Sequence, residues 1–311
     1  MTIRFRNSEV TSMEFLHIPK TFLQMNTIFI SILIEALPFI LIGVFVSGII
    51  QMFITEDMVA RFMPKNRVLS ILMALILGLL FPGCECGIVP IVRRLIGKGV
   101  PAHAGVAFML TGPIVNPVVL FATYVAFGNS WKMVWLRAGT AFIVAFIVAL
   151  IVSFLFKGSI LKNESQHSHS SIVQKTFKQK LWDVCEHAVQ EFFSMGKYLV
   201  IGALIAASVQ TFVKTSVLLS IGQGPFASAG VMMGLAFILS LCSEADAFIA
   251  SSFQSTFAVS SLVAFLVFGP MVDIKNTLMM LGSFKTKFVV VLIALIAVTV
   301  YLSSVVLHFV G

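Results

Sequence analysis

The chain has 311 residues, of which 59% are hydrophobic and only 11% charged, and its mean hydropathy is +1.03. A soluble domain cannot hide that much apolar surface, so the solvent is the bilayer, and long apolar runs in lipid are compatible only with helices that bond their own backbone. The excess of 21 Lys and Arg over 13 Asp and Glu fits the basic cytoplasmic loops of such proteins and does not indicate nucleic-acid binding.

Residues 1–24 are polar with scattered apolar positions and read as a tail or a surface-lying segment. The first apolar run, 26–54, starts late and is too long for the core of a cleavable signal peptide. It carries Glu35. A charged turn with Glu56, Asp57, Arg61, Lys65 and Arg67 follows, and the next run stops at Phe81-Pro82-Gly83, where proline and glycine end a helix and free backbone groups. Between Gly87 and Ile96 there is room for a helix of about 15 Å, half a bilayer. Arg93, Arg94 and Lys98 mark its far end as inside-surface anchors. A segment opened by Pro101 runs to Phe127, with interruptions expected at Gly112-Pro113 and Asn116-Pro117. The span 131–156 carries Trp131 and Trp135 as interfacial anchors.

Residues 157–187 are rich in Lys, Ser, Gln and His and read as a solvated linker. Apolar runs resume at 191–214, 227–241, 247–257, 259–281 and 288–309. The halves align: Gly43 with Gly202 and Gln51 with Gln210 at a separation of 159, Cys84 with Cys242 at 158, Gly112-Pro113 with Gly269-Pro270 at 157. The expected organisation is therefore a tail (1–24), a membrane repeat (25–156), a cytoplasmic linker (157–187) and a second repeat (188–311). Paired interrupted segments in two repeats point to a transport site.

Charge indicates how the repeats are related. The turns 56–67 and 93–98 each carry three basic residues, whereas their counterparts 214–226 and 252–258 carry one and none. Repeats of one orientation would share their loop bias, so an inverted pair is expected. Inversion requires an odd number of crossings per half: five if each short helix crosses. A four-plus-four layout with re-entrant short helices is the alternative.

The candidate site follows from residue chemistry. Cys84, Glu85 and Cys86 sit at the end of an apolar run. Cys242, Glu244 and Asp246 repeat that pattern, and Asn116 and Asp273 occupy matching positions after the second breaks. Thiolates are soft ligands that suit thiophilic metals and metalloids, although membrane cysteines are also small apolar fillers. Intramembrane carboxylates usually mark pathways or proton relays; Lys275 could instead simply neutralise Asp273. Glu35, opposite Ser194 in the repeat, is a weaker candidate. Pro82, Gly83, Gly112, Pro113, Pro117, Gly269 and Pro270 are the expected structural breaks. Cys185 reads as incidental, His103 as interfacial, and the His167/His169 pair lies in a linker where two histidines rarely make a metal site.

The sequence Phe81-Pro82-Gly83-Cys84-Glu85-Cys86-Gly87, the Gly112–Pro117 break and the later Cys242–Asp246 and Gly269–Asp273 elements resemble the bacterial predicted-permease family that includes the organoarsenical efflux permeases. The resemblance covers nearly the whole chain from residue 26 onward. It implies a multi-pass plasma-membrane permease, not an enzyme, without a cofactor or resident metal. It does not fix the cargo, for which the thiols point to a small, thiophilic or metalloid-containing solute. No nucleotide-binding loop is present, so energy would come from an ion gradient or from downhill flux; efflux driven by a gradient, with H+ as the coupling ion, is the expectation. A channel, or a membrane thiol oxidoreductase using Cys84 and Cys86, is the alternative.

Overall fold

The computed structural model describes residues 20–64, 66–81, 83–156, 158–162, 177–212 and 225–310. Pro82, Lys65, His167, His169, most of the expected tail and the middle of the linker lie outside them. The described residues form thirteen helices: α1 (Lys20–Phe53), α2 (Glu56–Phe62), α3 (Arg67–Leu80), α4 (Glu85–Gly97), α5 (Ala102–Val115), α6 (Pro117–Ala126), α7 (Trp131–Leu155), α8 (Phe177–Phe212), α9 (Pro225–Leu239), α10 (Ser243–Ser252), α11 (Val259–Met271), α12 (Ile274–Ser283) and α13 (Thr286–Val310). The protein is an all-helical, polytopic membrane protein. An isolated bridge between Leu161 and Phe284 is the extended pairing seen among the described residues.

Six stretches are long and apolar enough to cross a bilayer: Lys20–Phe53, Ala102–Ala126, Trp131–Leu155, Ala188–Phe212, Val259–Ser283 and Thr286–Phe309. The expected five crossings per half are not what helix length provides. The 14 residues of α3 and 13 of α4 rise only about 20 Å each, short of the roughly 30 Å hydrocarbon layer. Ser70, near the start of α3, hydrogen-bonds His103 at the start of α5 (3.0 Å). The α3–α4 hairpin therefore leaves and returns to one end of the bundle. Likewise Ser228, near the start of α9, meets Ser261 near the start of α11 (2.7 Å).

The break expected at Asn116-Pro117 is where α5 gives way to α6, but Gly112-Pro113 and Gly269-Pro270 do not interrupt their helices. α5 runs through Gly112 and Pro113 to Val115, and α11 through Gly269 and Pro270 to Met271. Proline removes one hydrogen bond, but a side chain that caps the following helix is what ends each segment. Asn116 accepts from Val119 N (2.9 Å) and donates to Gly112 O (3.1 Å). Asp273 accepts from Asn276 N (2.6 Å), and Asn276 donates back to Met271 O (3.2 Å). Gly112 and Gly269 serve close packing instead: a Cβ on Gly112 would strike Ile88, and one on Gly269 would strike the Asp246 carboxylate.

α5 and α11 are the central elements, and the spans that contain them, Ala102–Ala126 and Val259–Ser283, are the most buried of the six. α3 and α7 pack on α5, α9 and α13 pack on α11, and α5 meets α11 directly. α1 and α8 form a pair to one side, α1 against α4 and α8 against α12. Those contacts are close because Gly43 of α1 abuts the Gly87 backbone of α4, and Gly202 of α8 abuts the Lys275 backbone at the start of α12.

Candidate functional site

α4 and α10 begin in the same way. Each is preceded by a cysteine in extended conformation, Cys84 and Cys242, whose side chain makes no capping hydrogen bond. The first-turn amides and the positive end of each helix dipole therefore face the chain break. Glu85 is the first residue of α4, and Glu244 and Asp246 lie in the first turn of α10.

Lys275 organises one side of the site. Its ammonium, 2% exposed, reaches Glu85 Oε1 at 3.1 Å, Asp273 Oδ2 at 3.5 Å and the Ser240 carbonyl at 3.0 Å. It donates a hydrogen bond to the Ser240 carbonyl and lies within ion-pair distance of the two carboxylates. Ser240 holds a positive φ of 48°, an unusual region for a residue with a side chain. Its carbonyl thereby meets Lys275 Nζ, and its hydroxyl accepts from Lys275 N (3.4 Å). These contacts tie α4, α12 and the turn before α10 together at one point.

Arg137 organises the other side. It is 0% exposed, and it donates to Thr123 Oγ1 at 2.7 Å and to the Ser243 carbonyl at 3.0 Å. It thus joins α7 and α6 to the start of α10. Its Nε has no hydrogen-bond partner, and neither do the Ser243 hydroxyl or either Asp246 oxygen. Asp246 is 1% exposed, and the Arg137 charge acts on it ahead of Glu85, Lys275 and Asp273.

All four cysteines are free thiols. Cys84 and Cys86 are buried in one cluster with residues of α1 and α8, whereas Cys242 is partly exposed and under the influence of Glu35 of α1. Among the described residues no three of His, Cys, Asp and Glu gather into a group able to hold a metal ion, and Cys242 keeps company with Glu35 instead of joining the other two sulfurs. Glu35, Cys242 and Glu244 are partly exposed; Glu85, Asp246, Asp273, Lys275 and Arg137 are not. The Cys242 side is thus the more open face of the cluster. The Asn116 amide is engaged at both ends in capping, which places it structurally without a free polar group.

The sequence reading missed two charged groups. Arg137 passes for part of an interfacial Trp-Lys-Trp-Arg cluster; its depth in α7 was the available signal. Glu191 of α8, 4% exposed, accepts from Ser47 of α1 (2.8 Å) and from Arg94 of α4 (3.0 Å), with Arg93 at 3.9 Å. Arg94 also reaches Gln51 (3.4 Å). Arg93 and Arg94, expected as surface anchors, instead pin the α1–α8 pair to α4.

Residues 21–309 match the family described as "Predicted permease". The chain belongs to that family. It is 62% identical over 284 residues to UPF0718 protein YcgR of Bacillus subtilis (strain 168), covering 91% of this chain and 97% of that one. Over 277 residues it is 50% identical to a protein of Streptococcus mutans named putative two-component membrane permease complex subunit, covering 88% and 92%. UPF0718 protein MJ0584 of Methanocaldococcus jannaschii is 24% identical over 134 residues, 42% of this chain and 36% of that one. No solved structure matches the chain. The protein is accordingly a multi-pass bacterial membrane permease.

Proposed function

We propose that this permease is a secondary transporter that exports a small, thiophilic or metalloid-containing solute, driven by an ion gradient. The observation that carries this reading is the convergence of the two half-helix N-termini, with Cys84, Glu85 and Cys86 on one and Cys242, Glu244 and Asp246 on the other, where Lys275 pairs with Glu85 and bonds the Ser240 carbonyl and Arg137 bonds the Ser243 carbonyl. Broken helices whose ends face a polar, buried centre are the construction expected of a transport site. A channel would need a continuous polar route, and the packed core formed by α5 and α11 speaks against one. Export is supported by the motif resemblance to the organoarsenical efflux permeases, and gradient coupling by the absence of a nucleotide-binding loop. The Streptococcus mutans relative is named as one subunit of a two-component complex, which supports a partner subunit here as well.

The two halves, 25–156 and 188–311, are read as inverted repeats of three crossings and one re-entrant hairpin each. Three is odd, as inversion demands. Two contacts support opposite directions of the hairpins. Arg67, at the start of α3, stacks on Phe154 at the end of α7 (5.2 Å). Ser304, near the end of α13, donates to Ser260 beside the start of α11 (2.9 Å). The residues 159–162 next to the end of α7 also bond to Ser283 and Lys285 at the start of α13.

Binding of a trivalent methylarsenical to the purified chain tests the cargo class. Serine in place of Cys84, Cys86 or Cys242 keeps the size but replaces a soft ligand with a harder oxygen. Each substitution is expected to weaken binding by about 10–100-fold, the scale of perturbed ligand sets. Equal affinity across the wild type and the three variants would show that the thiols only pack.

A further inference from the structure

Asp246 differs from the other core carboxylates. Glu85 and Asp273 each have Lys275 within ion-pair distance, whereas Asp246 has neither an ion pair nor a hydrogen bond, although both of its oxygens are buried. An ionised carboxylate left so in an apolar interior is strongly disfavoured. A fully buried guanidinium, Arg137, is the leading charge acting on it. Two of its five N–H donors are engaged, one by Thr123 Oγ1 and one by the Ser243 carbonyl at the start of the same helix, and its Nε has no partner. We propose that Asp246 is the proton-carrying acid of the transport cycle and that Arg137 is its alternative partner. With a proton on Asp246, Arg137 holds Thr123 and Ser243 as observed. When the O–H bond breaks and the proton leaves to water on the Cys242 and Glu244 side, Arg137 turns its free Nε to the carboxylate and loosens its hold on the start of α10. This rests on the secondary-transport reading and names its coupling site.

The surroundings favour a proton over a metal cation. Asp246 Oδ2 lies against Gly269 of α11, where a Cβ would be only 2.9 Å away, with the Ala236 methyl of α9 nearby. The charged groups acting on Asp246 are Arg137 from α7, Glu85 from α4, and Lys275 with Asp273 at the start of α12; Glu244 lies on its own helix. α9 and α11 carry no titratable side chain, and Tyr124 of α6 stacks on Trp131 instead. A sodium ion would have to share the site with the positive charge of Arg137, and no three of His, Cys, Asp and Glu gather there among the described residues. The device also couples protonation to movement, because the donors on Arg137 join α6 and α7 to α10.

Dicyclohexylcarbodiimide, which reacts with protonated carboxylic acids in apolar surroundings, tests this on the purified full-length chain in lipid vesicles, read by peptide mass spectrometry. Asp246 should be labelled in the wild type, and position 246 should be unlabelled in Asp246→Asn. The variants are compared at an alkaline pH at which the wild type labels about tenfold more slowly than at its maximum. There Arg137→Gln should label several-fold faster, because an adjacent cation favours the ionised acid, and Arg137→Lys should stay near the wild-type rate. Thr123→Val frees one guanidinium N–H and should label more slowly. If Arg137→Gln does not fold, the slowing in Thr123→Val carries the comparison. An unlabelled Asp246 in a peptide that is otherwise detected, or one rate in the wild type, Arg137→Gln and Thr123→Val, overturns the proposal. Failure of the vesicles to move a trivalent methylarsenical, with this labelling pattern intact, would overturn the cargo class and leave the Asp246–Arg137 exchange standing.

Discussion

Lys275 donates to the Ser240 carbonyl and lies within ion-pair distance of two carboxylates that no other cation approaches so closely among the described residues. Replacing it with methionine would leave Glu85 and Asp273 buried and uncompensated, at a cost of about 3–5 kcal/mol. Lys275→Met should therefore unfold at markedly lower temperature in detergent, and adding Glu85→Gln should restore much of the loss. Equal thermal stability of Lys275→Met and wild type would show that the pair is not structural. At this scale the acids were legible in the sequence, because a carboxylate between apolar neighbours is rare and costly. Their partners were less so. Lys275 could be named only as a neighbour of Asp273, since nothing local shows that it also crosses to Glu85, 190 residues earlier in the chain. Arg137 lies six residues after Trp131, about 9 Å along α7, and two tryptophans before it make it look interfacial. Asn116 illustrates the converse: a polar residue at a break can be a ligand or a cap, and only its two short bonds to Gly112 and Val119 show that it is a cap.

The α1–α8 pair meets the rest of the bundle through two glycines, and both contacts are with backbone. A methyl group at Gly43 would overlap the Gly87 carbonyl, and one at Gly202 would overlap Lys275 Cα, so neither neighbour can yield as a side chain would. Gly43→Ala and Gly202→Ala should each lower stability by about 1–3 kcal/mol, the usual cost of overpacking, while alanine at Gly139, with open space around it, should have little effect. Thermal unfolding of the three variants checks this, and equal midpoints would remove the close-contact role. The sequence allowed Gly43 and Gly202 to be matched as repeat partners and read as packing residues, because small residues are how membrane helices approach closely. It placed the first-half break at Asn116-Pro117 but also expected breaks at Gly112-Pro113 and Gly269-Pro270, which lie within helices, since proline is a strong local signal and a capping bond such as that of Asp273 is visible only in three dimensions. The start of α8 at Phe177, inside the expected linker, shows the same limit: amphipathic turns outside the bilayer carry no continuous apolar run.

Across the whole molecule, helix length decides what periodicity could not. The paired apolar runs were readable, but whether a half-length helix crosses or turns back depends on where its ends lie, which Ser70–His103 and Ser228–Ser261 record. Sidedness is testable directly. In a Cys185→Ser background, a cysteine at exposed Ser159 should resist impermeant thiol reagents in intact cells, and one at exposed Ser255 should react; the reverse pattern would sink the inverted arrangement. The imbalance among the buried charges has an electrical consequence. Glu85, Asp246 and Asp273 face only Arg137 and Lys275, so with all five ionised the core carries one net negative charge, and one bound proton makes it neutral. Moving a single charge through the membrane field is worth about 2.3 kcal/mol per 100 mV. The deprotonated core should therefore drift with the voltage, whereas the protonated one should move as though the voltage were absent.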